Sequence, residues 1–184
     1  MRLIFTDMDG VLNKNFDNCS KDRHIYNDRF SHTVTTGFGK TCELTYVDPE
    51  LAARVSKLIH DYDLWIVAST SWRLYWSQED FKELLTLRGL PGERLVGYTP
   101  NLLAKDWRAT RKDEIKAFLN NFDRPVEFYI ILDDLEEAAY NTDKGKLFRT
   151  DFDKGYTKED DEGVRRWIED FLKKETSDDK IESN

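Results

Sequence analysis

Short, mainly apolar runs that end in polar residues recur along the chain. Each run is too short for a helix with a buried face, so each predicts a strand of a buried sheet. The predicted strands are Leu3–Phe5, Leu64–Ala68, Leu95–Gly97, Val126–Leu132 and Leu147–Thr150.

Helical patterns alternate with these runs. Asp48 is suited to cap a helix, Pro49 to occupy its first turn and Glu50 to favour its N-terminus. Apolar residues then recur on one face of that helix, at Leu51, Val55, Leu58 and Ile59. Further helices are predicted to begin near Arg73, at Thr110 with a capping box to Asp113, and at Thr157 with a capping box to Asp160.

The segment from Lys14 to Val47 breaks this alternation, because it is polar and has no helical periodicity. Thr33–Thr36 and Leu44–Val47 are predicted to pair as a small hairpin around the glycines between them. An insertion of this length is too long for a simple turn and too short for a second domain.

The composition fits a single domain that needs neither disulfides nor a structural metal, since the chain has 184 residues. Residues 173–184 are charged and polar and are predicted to fray, which leaves residues 1–172 as the domain. The net charge of -8 argues against a protein that holds nucleic acid by long-range attraction. A nucleotide phosphate can still be recognised within one pocket.

The two cysteines, Cys19 and Cys42, lie in one segment without the spacing of a metal site. We expect free thiols in a reducing, cytoplasmic setting, and a disulfide between them is the alternative. The N-terminus lacks the charged-then-apolar pattern of a secretion signal, and no apolar run approaches the length of a membrane span.

Two carboxylates follow the first strand directly. Asp7 and Asp9 are two residues apart, so on extended backbone their side chains point the same way and can converge on one reacting group. Gly10 permits the turn that brings backbone N–H groups close to an anion. The alternative is an ordinary acidic turn.

Hydroxyl residues follow the second strand, at Ser69, Thr70 and Ser71. A hydroxyl beside backbone N–H groups at the carboxyl end of a strand suits a phosphate oxygen, although the same residues can serve only as a helix N-cap. Aromatic residues that can either stack a base or pack in the core come next, at Trp72, Tyr75 and Trp76.

Opposite charges complete the pattern later in the chain. Arg111 and Lys112 lie in a first helical turn, where the dipole favours acids, so they are better explained by a nearby anion than by a solvated basic face. Asp133 and Asp134 follow the strongest predicted strand, and carboxylates there are costly without a cation. Mg2+ is the natural partner, because it prefers hard oxygen ligands and keeps waters that a phosphate can replace.

These residues, in this order, resemble the four motifs of the haloacid dehalogenase superfamily: Asp-x-Asp-Gly-Val-Leu, a Ser or Thr closing a strand, a basic residue at a helix start, and Asp-Asp ending a strand. The resemblance implies an α/β fold with a doubly wound, Rossmann-like, mainly parallel sheet flanked by helices. Residues 14–47 would be a small cap or flap over the site. Candidates for substrate contact in this cap are Arg23, His24, Arg29, His32 and Lys40.

The resemblance also implies a phosphatase that works through an aspartyl-phosphate, with Asp7 as nucleophile and Asp9 as acid and base. Asp7, the backbone carbonyl of Asp9 and Asp133 would hold Mg2+, with Asp134 orienting the metal waters or the basic residue. The phosphate-binding candidates are Thr70, with Ser71 beside it and Ser69 as the fallback, and Arg111, with Lys112 second.

The exact residues of three motifs indicate which members of the superfamily the chain resembles most. Asp-Gly-Val-Leu-Asn, Thr-Ser-Trp-Arg and Arg-x-x-Glu-Ile are similar to small phosphatase domains of phage and bacterial proteins and of RNA-repair assemblies. That implies a hydrolase acting on a nucleotide or a nucleic-acid terminal phosphate. We expect no membrane association, and the sequence indicates no obligate protein partner. The alternatives are another small phosphorylated metabolite as substrate, or a non-catalytic domain that only binds phosphate or regulates.

Overall fold

The computed structural model describes residues 1–14, 28–31, 33–35, 41–43 and 45–181. In chain order, the strands are β1 (Arg2–Thr6), β2 (Thr33–Thr35), β3 (Thr41–Glu43), β4 (Leu64–Ala68), β5 (Leu95–Tyr98), β6 (Phe128–Asp133) and β7 (Gly145–Arg149). The α-helices are α1 (Pro49–Asp61), α2 (Gln78–Leu87), α3 (Arg111–Asn121) and α4 (Lys158–Ile181).

The main sheet has five strands in the order β5-β4-β1-β6-β7, and every neighbouring pair is parallel. This confirms the predicted doubly wound parallel sheet. The chain moves outward from β1 through β4 to β5, then crosses back to β6 and β7. The order therefore reverses between β1 and β6, and open α/β sheets bind ligands at the carboxyl ends of strands at such a switch point.

The register of the central strands aligns their carboxyl ends. Thr6 of β1 lies between Ala68 of β4 and Leu132 of β6. The next residues continue the ladder, since the Asp7 N–H donates to the Leu132 carbonyl at 2.9 Å and the Ser69 N–H donates to the Thr6 carbonyl at 3.0 Å. The ends of these strands consequently meet at one place.

Helices cover both faces of the sheet. On one face, β1, β4 and β6 contribute side chains such as Ile4, Ile66 and Ile130 to a core shared with α1, α2 and α4. On the other face, Leu3 and Phe5 of β1 pack with α3. Alternate residues of β1 therefore enter opposite cores, as a strand buried on both sides requires.

The first helix begins as its sequence predicts. The Asp48 carboxylate accepts the N–H groups of Glu50 and Leu51, and Pro49 occupies the first turn, where its missing N–H is not needed. The predicted apolar face is buried along the whole helix, at Leu51, Ala52, Val55, Leu58 and Ile59.

The helix predicted from Arg73 to Leu87 is instead two helices. Ser71–Leu74 forms a single turn of 3₁₀ helix, and α2 begins only at Gln78. Ser77 separates them, because its backbone is extended and its hydroxyl caps α2 by accepting the Asp80 N–H at 3.2 Å. A capping residue cannot also continue a helix.

Two further helical predictions differ from the structure. Glu136 and Glu137 are predicted from the sequence to begin the helix after β6, but they form a single 3₁₀ turn, Glu136–Ala138. At the other end of the chain, α4 continues to Ile181, through the start of the region expected to fray from Lys173. Extending an existing helix adds one backbone hydrogen bond per residue, so a polar sequence can prolong it without a buried face.

The predicted hairpin is present with a different second strand. β2 pairs with β3 in antiparallel register, Thr33 opposite Glu43 and Thr35 opposite Thr41. Tyr46 and Val47, expected in the hairpin, are buried in the core instead. Several predictions about this segment concern positions outside the described residues, namely Cys19, Arg23, His24, His32 and Lys40.

Arg29, a candidate for substrate contact, forms ion pairs with α2. Its guanidinium pairs with Glu83 at 2.5 Å and with Asp80 at 2.9 Å, both on α2. Within the part of the chain that the structure describes, no helix is both long and apolar enough to cross a membrane.

Residues from the last third of the chain fix the turn that follows β1, residues 7–13, here called the acidic turn. The Thr150 hydroxyl donates to the Gly10 carbonyl at 2.8 Å, and the Tyr156 N–H donates to the Val11 carbonyl at 2.8 Å. Gly155 allows this approach, because its φ is +66° and an added Cβ would lie 2.9 Å from the Val11 carbonyl oxygen. The segment between β7 and α4 thus stabilises the acidic turn through these hydrogen bonds.

Candidate active site

Asp7 lies at the bottom of the site, directly after β1, with 6% of its surface exposed. Its Oδ1 accepts the Met8 N–H at 2.7 Å, and its Oδ2 lies 3.4 Å from Arg111 Nη2. Burial raises the pKa of Asp7 from 3.8 to about 6, and the Arg111 charge opposes that rise.

Asp133 ends β6 beside Asp7 and is fully buried. Its Oδ1 accepts the Leu135 N–H at 2.9 Å, whereas its Oδ2 has no hydrogen-bond partner among the described residues. Burial, followed by the Asp7 charge, raises the pKa of Asp133 to about 7. Burial also raises the pKa of Asp134. An unpaired buried carboxylate oxygen is costly, and a cation beside it would offset that cost.

A divalent cation fits this cluster. Asp7, Asp133 and Asp134 each offer a carboxylate oxygen, and these oxygens lie within 4.8 Å of one another. An all-oxygen donor set of this kind suits Mg2+, and the unpaired Oδ2 of Asp133 is the group that such an ion would satisfy. The Asp9 carboxylate does not belong to this cluster, so its predicted share in the metal site rests on its backbone carbonyl alone.

Asp9 is held apart from the carboxylate cluster by two hydrogen bonds. Its Oδ1 accepts from Asn13 Nδ2 at 2.8 Å, and its Oδ2 accepts from the Trp72 indole Nε1 at 2.9 Å. The backbone from Met8 to Leu12 forms turns, so the extended geometry assumed for Asp7 and Asp9 is absent, and the two carboxylates lie in different surroundings.

Gly10 is required where it stands. Its φ is +71°, and an added Cβ would come within 2.8 Å of the Phe152 ring and 2.9 Å of Asp134 Cγ. A side chain at this position would both strain the backbone and displace a member of the acidic cluster.

Among the hydroxyl residues, the structure brings Thr70 beside the Asp7 carboxyl group. Thr70 is fully buried, and its hydrogen bond to the Asp7 carboxyl counteracts the rise in the pKa of Asp7. Its Oγ1 also accepts the Trp72 N–H at 3.3 Å, so the alternative function as an N-cap is fulfilled by the same atom. Ser69 is buried with its Oγ unpaired among the described residues, and Ser71 is exposed.

Of the two basic candidates, only Arg111 contacts the acidic cluster. Its Nη2 lies 3.4 Å from Asp7 Oδ2 and its Nε lies 3.9 Å from Asp133 Oδ2. Its Nη1 is buried without a partner among the described residues, which leaves a donor for an anion. Lys112, one residue later on α3, is exposed.

A buried ion pair that sequence reasoning missed connects two parts of the site. Arg73 Nη2 lies 2.6 Å from Glu114 Oε2, and both side chains are almost fully buried. Arg73 also donates to the carbonyls of Thr70 and Thr99, and Glu114 Oε1 accepts the Leu102 N–H. The pair thereby joins the turn after β4, the loop after β5 and the first turn of α3.

The sequence alone could predict only part of the Arg73–Glu114 ion pair. Glu114 is three residues after Arg111 on a predicted helix, so both are expected on neighbouring faces. Arg73 follows the hydroxyl cluster directly. Their partnership spans 41 residues, and no local periodicity reports a contact of that separation.

A family described as the HAD domain in Swiss Army Knife RNA repair proteins matches residues 3–160. Searches of curated proteins and of solved structures gave no match to this chain. The family match spans β1 through the start of α4 and so includes every predicted site residue. The chain belongs to the haloacid dehalogenase (HAD) superfamily, within the family of HAD domains of Swiss Army Knife RNA repair proteins, and this membership supports a hydrolase of the phosphatase type.

Proposed function

We propose that this protein is a Mg2+-dependent phosphomonoesterase that works through an aspartyl-phosphate on Asp7. One observation carries the proposal. The Asp7 carboxylate contacts Arg111 on one side and shares a cluster of oxygens within 4.8 Å with Asp133 and Asp134 on the other. A nucleophile between a free cationic donor and a metal-binding cluster suits attack on an anionic phosphate.

In the first step, a carboxylate oxygen of Asp7 attacks phosphorus. The bond between phosphorus and the ester oxygen breaks, and Asp9 gives its proton to the departing oxygen. Arg111, through its unpaired Nη1, and Thr70, through its hydroxyl, bind the phosphoryl oxygens as charge builds on them.

In the second step, Asp9 takes a proton from water, and the water oxygen attacks phosphorus. The bond between Asp7 and phosphorus breaks, inorganic phosphate leaves, and both carboxyl groups return to their starting states.

Asp7, Asp133 and Asp134 would hold Mg2+, which supplies positive charge that offsets repulsion between the buried carboxylates and the phosphate. The Asp9 backbone carbonyl is a further proposed ligand, from the superfamily resemblance. The raised pKa values of Asp7 and Asp133 support this assignment. They mean that the ionised carboxylates are unfavourable in this buried cluster unless a cation lies beside them.

For the substrate, we propose a nucleotide or a nucleic-acid terminal phosphate. The family description, which refers to RNA repair proteins, supports this class. The net charge of -8 favours recognition of one terminal phosphate over attraction along a nucleic-acid backbone. A different small phosphorylated metabolite is the competing substrate class.

The test begins with phosphate release from 4-nitrophenyl phosphate, with Mg2+ and with EDTA. We expect release that depends on Mg2+ and stops in EDTA. A panel of nucleotides and of 3′- and 5′-phosphorylated oligonucleotides then identifies the substrate class. Absence of release from every ester, together with retained phosphate binding, would contradict the enzyme and favour a non-catalytic phosphate-binding domain.

A further inference from the structure

We propose that Trp72 and Asn13 are positioning residues that direct the proton of Asp9 toward the reacting phosphate ester, an inference that rests on the proposed phosphatase reaction. Each residue donates to a different oxygen of the Asp9 carboxylate, Asn13 at 2.8 Å and Trp72 at 2.9 Å. A carboxylate held at both oxygens cannot rotate freely, so its orientation is set before substrate arrives.

The orientation of the Asn13 amide is fixed by its other contacts. The Gly10 N–H donates to Asn13 Oδ1 at 3.1 Å, and Asn13 Nδ2 donates to the Tyr46 carbonyl at 3.3 Å. A flipped amide would place its NH2 group against the Gly10 donor and its oxygen against two acceptors. Asn13 therefore presents only N–H donors to Asp9.

Trp72 has the same property by its chemistry. The indole Nε1–H is a donor with no acceptor function, unlike a Ser, Tyr or His side chain at the same place. When Asp9 is protonated, neither neighbour can accept its proton. The proton is left to point away from both partners, where the leaving oxygen can receive it.

Trp72 also links the position of Asp9 to the phosphate-binding turn. Its backbone N–H donates to Thr70 Oγ1, so the hydroxyl proposed to bind phosphate and the indole that holds Asp9 belong to one short turn. Trp72 is only 6% exposed, and its packing in the main core fixes the ring. The turn after β4 thereby fixes the position of the Asp9 carboxyl group relative to the Thr70 hydroxyl that is proposed to bind phosphate.

The first experiment compares kcat/KM for a series of substituted phenyl phosphates whose phenols differ in acidity. Trp72→Phe removes the N–H donor. We expect its kcat/KM to fall at least about tenfold more for the poorest leaving group than for 4-nitrophenyl phosphate, because only a poor leaving group needs a well-placed proton. The matched control is Trp76→Phe, since Trp76 packs on Phe30 at a ring distance of 5.1 Å. We expect it to show no such dependence on the leaving group.

A double-mutant comparison uses Asp9→Asn. Once the acid is gone, Trp72→Phe should cause little further loss in kcat/KM. Equal losses across the ester series, or losses that add in the double mutant, would mean that Trp72 acts only through packing and would overturn the inference. If Trp72→Phe does not fold, Asn13→Ser is measured in the same series and must show the same dependence on the leaving group.

An NMR measurement separates this inference from the proposed function. The five tryptophans give five indole ¹⁵N–¹H signals, and the signal that disappears in Trp72→Phe is that of Trp72. Asp9→Ala should shift that signal and speed its exchange with solvent, while the Trp76 signal stays in place. Failure of wild-type protein to hydrolyse any ester would refute the phosphatase proposal. An unmoved Trp72 signal would refute the contact itself.

Discussion

At the scale of single residues, Asp7 and Asp9 show how two identical side chains, two positions apart, acquire different chemistry from their surroundings. Asp7 is buried beside Asp133 and Arg111, and burial raises its pKa to about 6. Asp9 instead accepts hydrogen bonds from neutral donors on both oxygens. The first environment suits a group that meets metal and phosphorus, and the second suits a group that exchanges protons with the substrate.

Asp7→Asn should fold normally and lose turnover by at least about a thousandfold, because the amide cannot form the covalent intermediate. Steady-state phosphate release measures the loss, and circular dichroism verifies the fold. Activity close to wild type on any true substrate would rule out Asp7 as nucleophile.

Asp9→Asn should reduce turnover by about 10²- to 10⁴-fold, the range of general acid–base catalysis. Some phosphoenzyme should still form on Asp7 with a good leaving group, since 4-nitrophenolate leaves without a proton. Acid-quenched samples analysed by intact-mass spectrometry would detect the added phosphoryl group. Full steady-state turnover in this variant would remove the acid–base function from Asp9.

The acidic cluster should make the stability of the metal-free protein depend on pH. The pKa values of Asp7, about 6, and Asp133, about 7, lie above the ordinary 3.8, so their contribution favours the folded state at low pH. That contribution is fully present below the ordinary pKa of 3.8 and is lost as pH rises from there through the folded-state values. We expect the Tm in EDTA to fall between about pH 4 and about pH 7, and Mg2+ to raise it most at the higher pH.

Thermal unfolding followed by circular dichroism measures both effects. Asp133→Asn is the matched variant, because it removes one of the buried charges while keeping the shape of the side chain. Its Tm in EDTA should vary less with pH in that window. A wild-type Tm that is independent of pH there would contradict the proposed effect of the cluster.

At the scale of elements, the site depends on two turns that come from opposite faces of the sheet. The 3₁₀ turn after β4 carries Thr70 and Trp72, and the first turn of α3 carries Arg111. The buried pair of Arg73 and Glu114 joins them. A rigid connection between these turns fixes the distance between the hydroxyl and the guanidinium that are proposed to hold one phosphate.

Glu114→Ala should lower the free energy of unfolding by about 3–5 kcal/mol, because it leaves the buried Arg73 charge unpaired. It should also raise the KM for phosphate esters, since α3 and Arg111 lose their anchor. Urea unfolding measures the stability change. The control is Glu79→Ala, which breaks an exposed pair with Lys82 and should cost less than about 1 kcal/mol. Equal costs for the two variants would contradict a structural function for the buried pair.

At the scale of the whole molecule, the strand order gathers residues that are far apart in the chain. β4, β1 and β6 are neighbours, so Thr70, Asp7 and Asp133 meet although they lie more than 60 residues from one another. The sequence predicts this much, because strands buried on both faces are continuous apolar runs and the polar residues at their ends stand out. The chemistry of the motifs then predicts which ends meet.

What the sequence could not predict depends on contacts between distant segments. The early end of the 3₁₀ turn and the start of α2 at Gln78 depend on Ser77, whose capping function competes with a continuous helical pattern. The hairpin register differs because Tyr46 and Val47 are taken into the core. Arg111 and Lys112 carry the same charge, and although the resemblance ranks Arg111 first, it is the orientation of α3 that brings Arg111 to Asp7 and leaves Lys112 exposed.

The hydrogen bonds from Thr150 and Tyr156 to the acidic turn have a consequence for synthesis of the protein. The four aspartates of the candidate site precede residue 135. The Gly10 and Val11 carbonyls, however, accept hydrogen bonds from Thr150 and Tyr156, later in the chain. During translation, a nascent chain that has exposed the four aspartates of the candidate site still lacks these two hydrogen bonds to the acidic turn. A chain released before Thr150 would carry all four motifs without either of these hydrogen bonds, so we expect its acidic turn to be less ordered than that of the full chain.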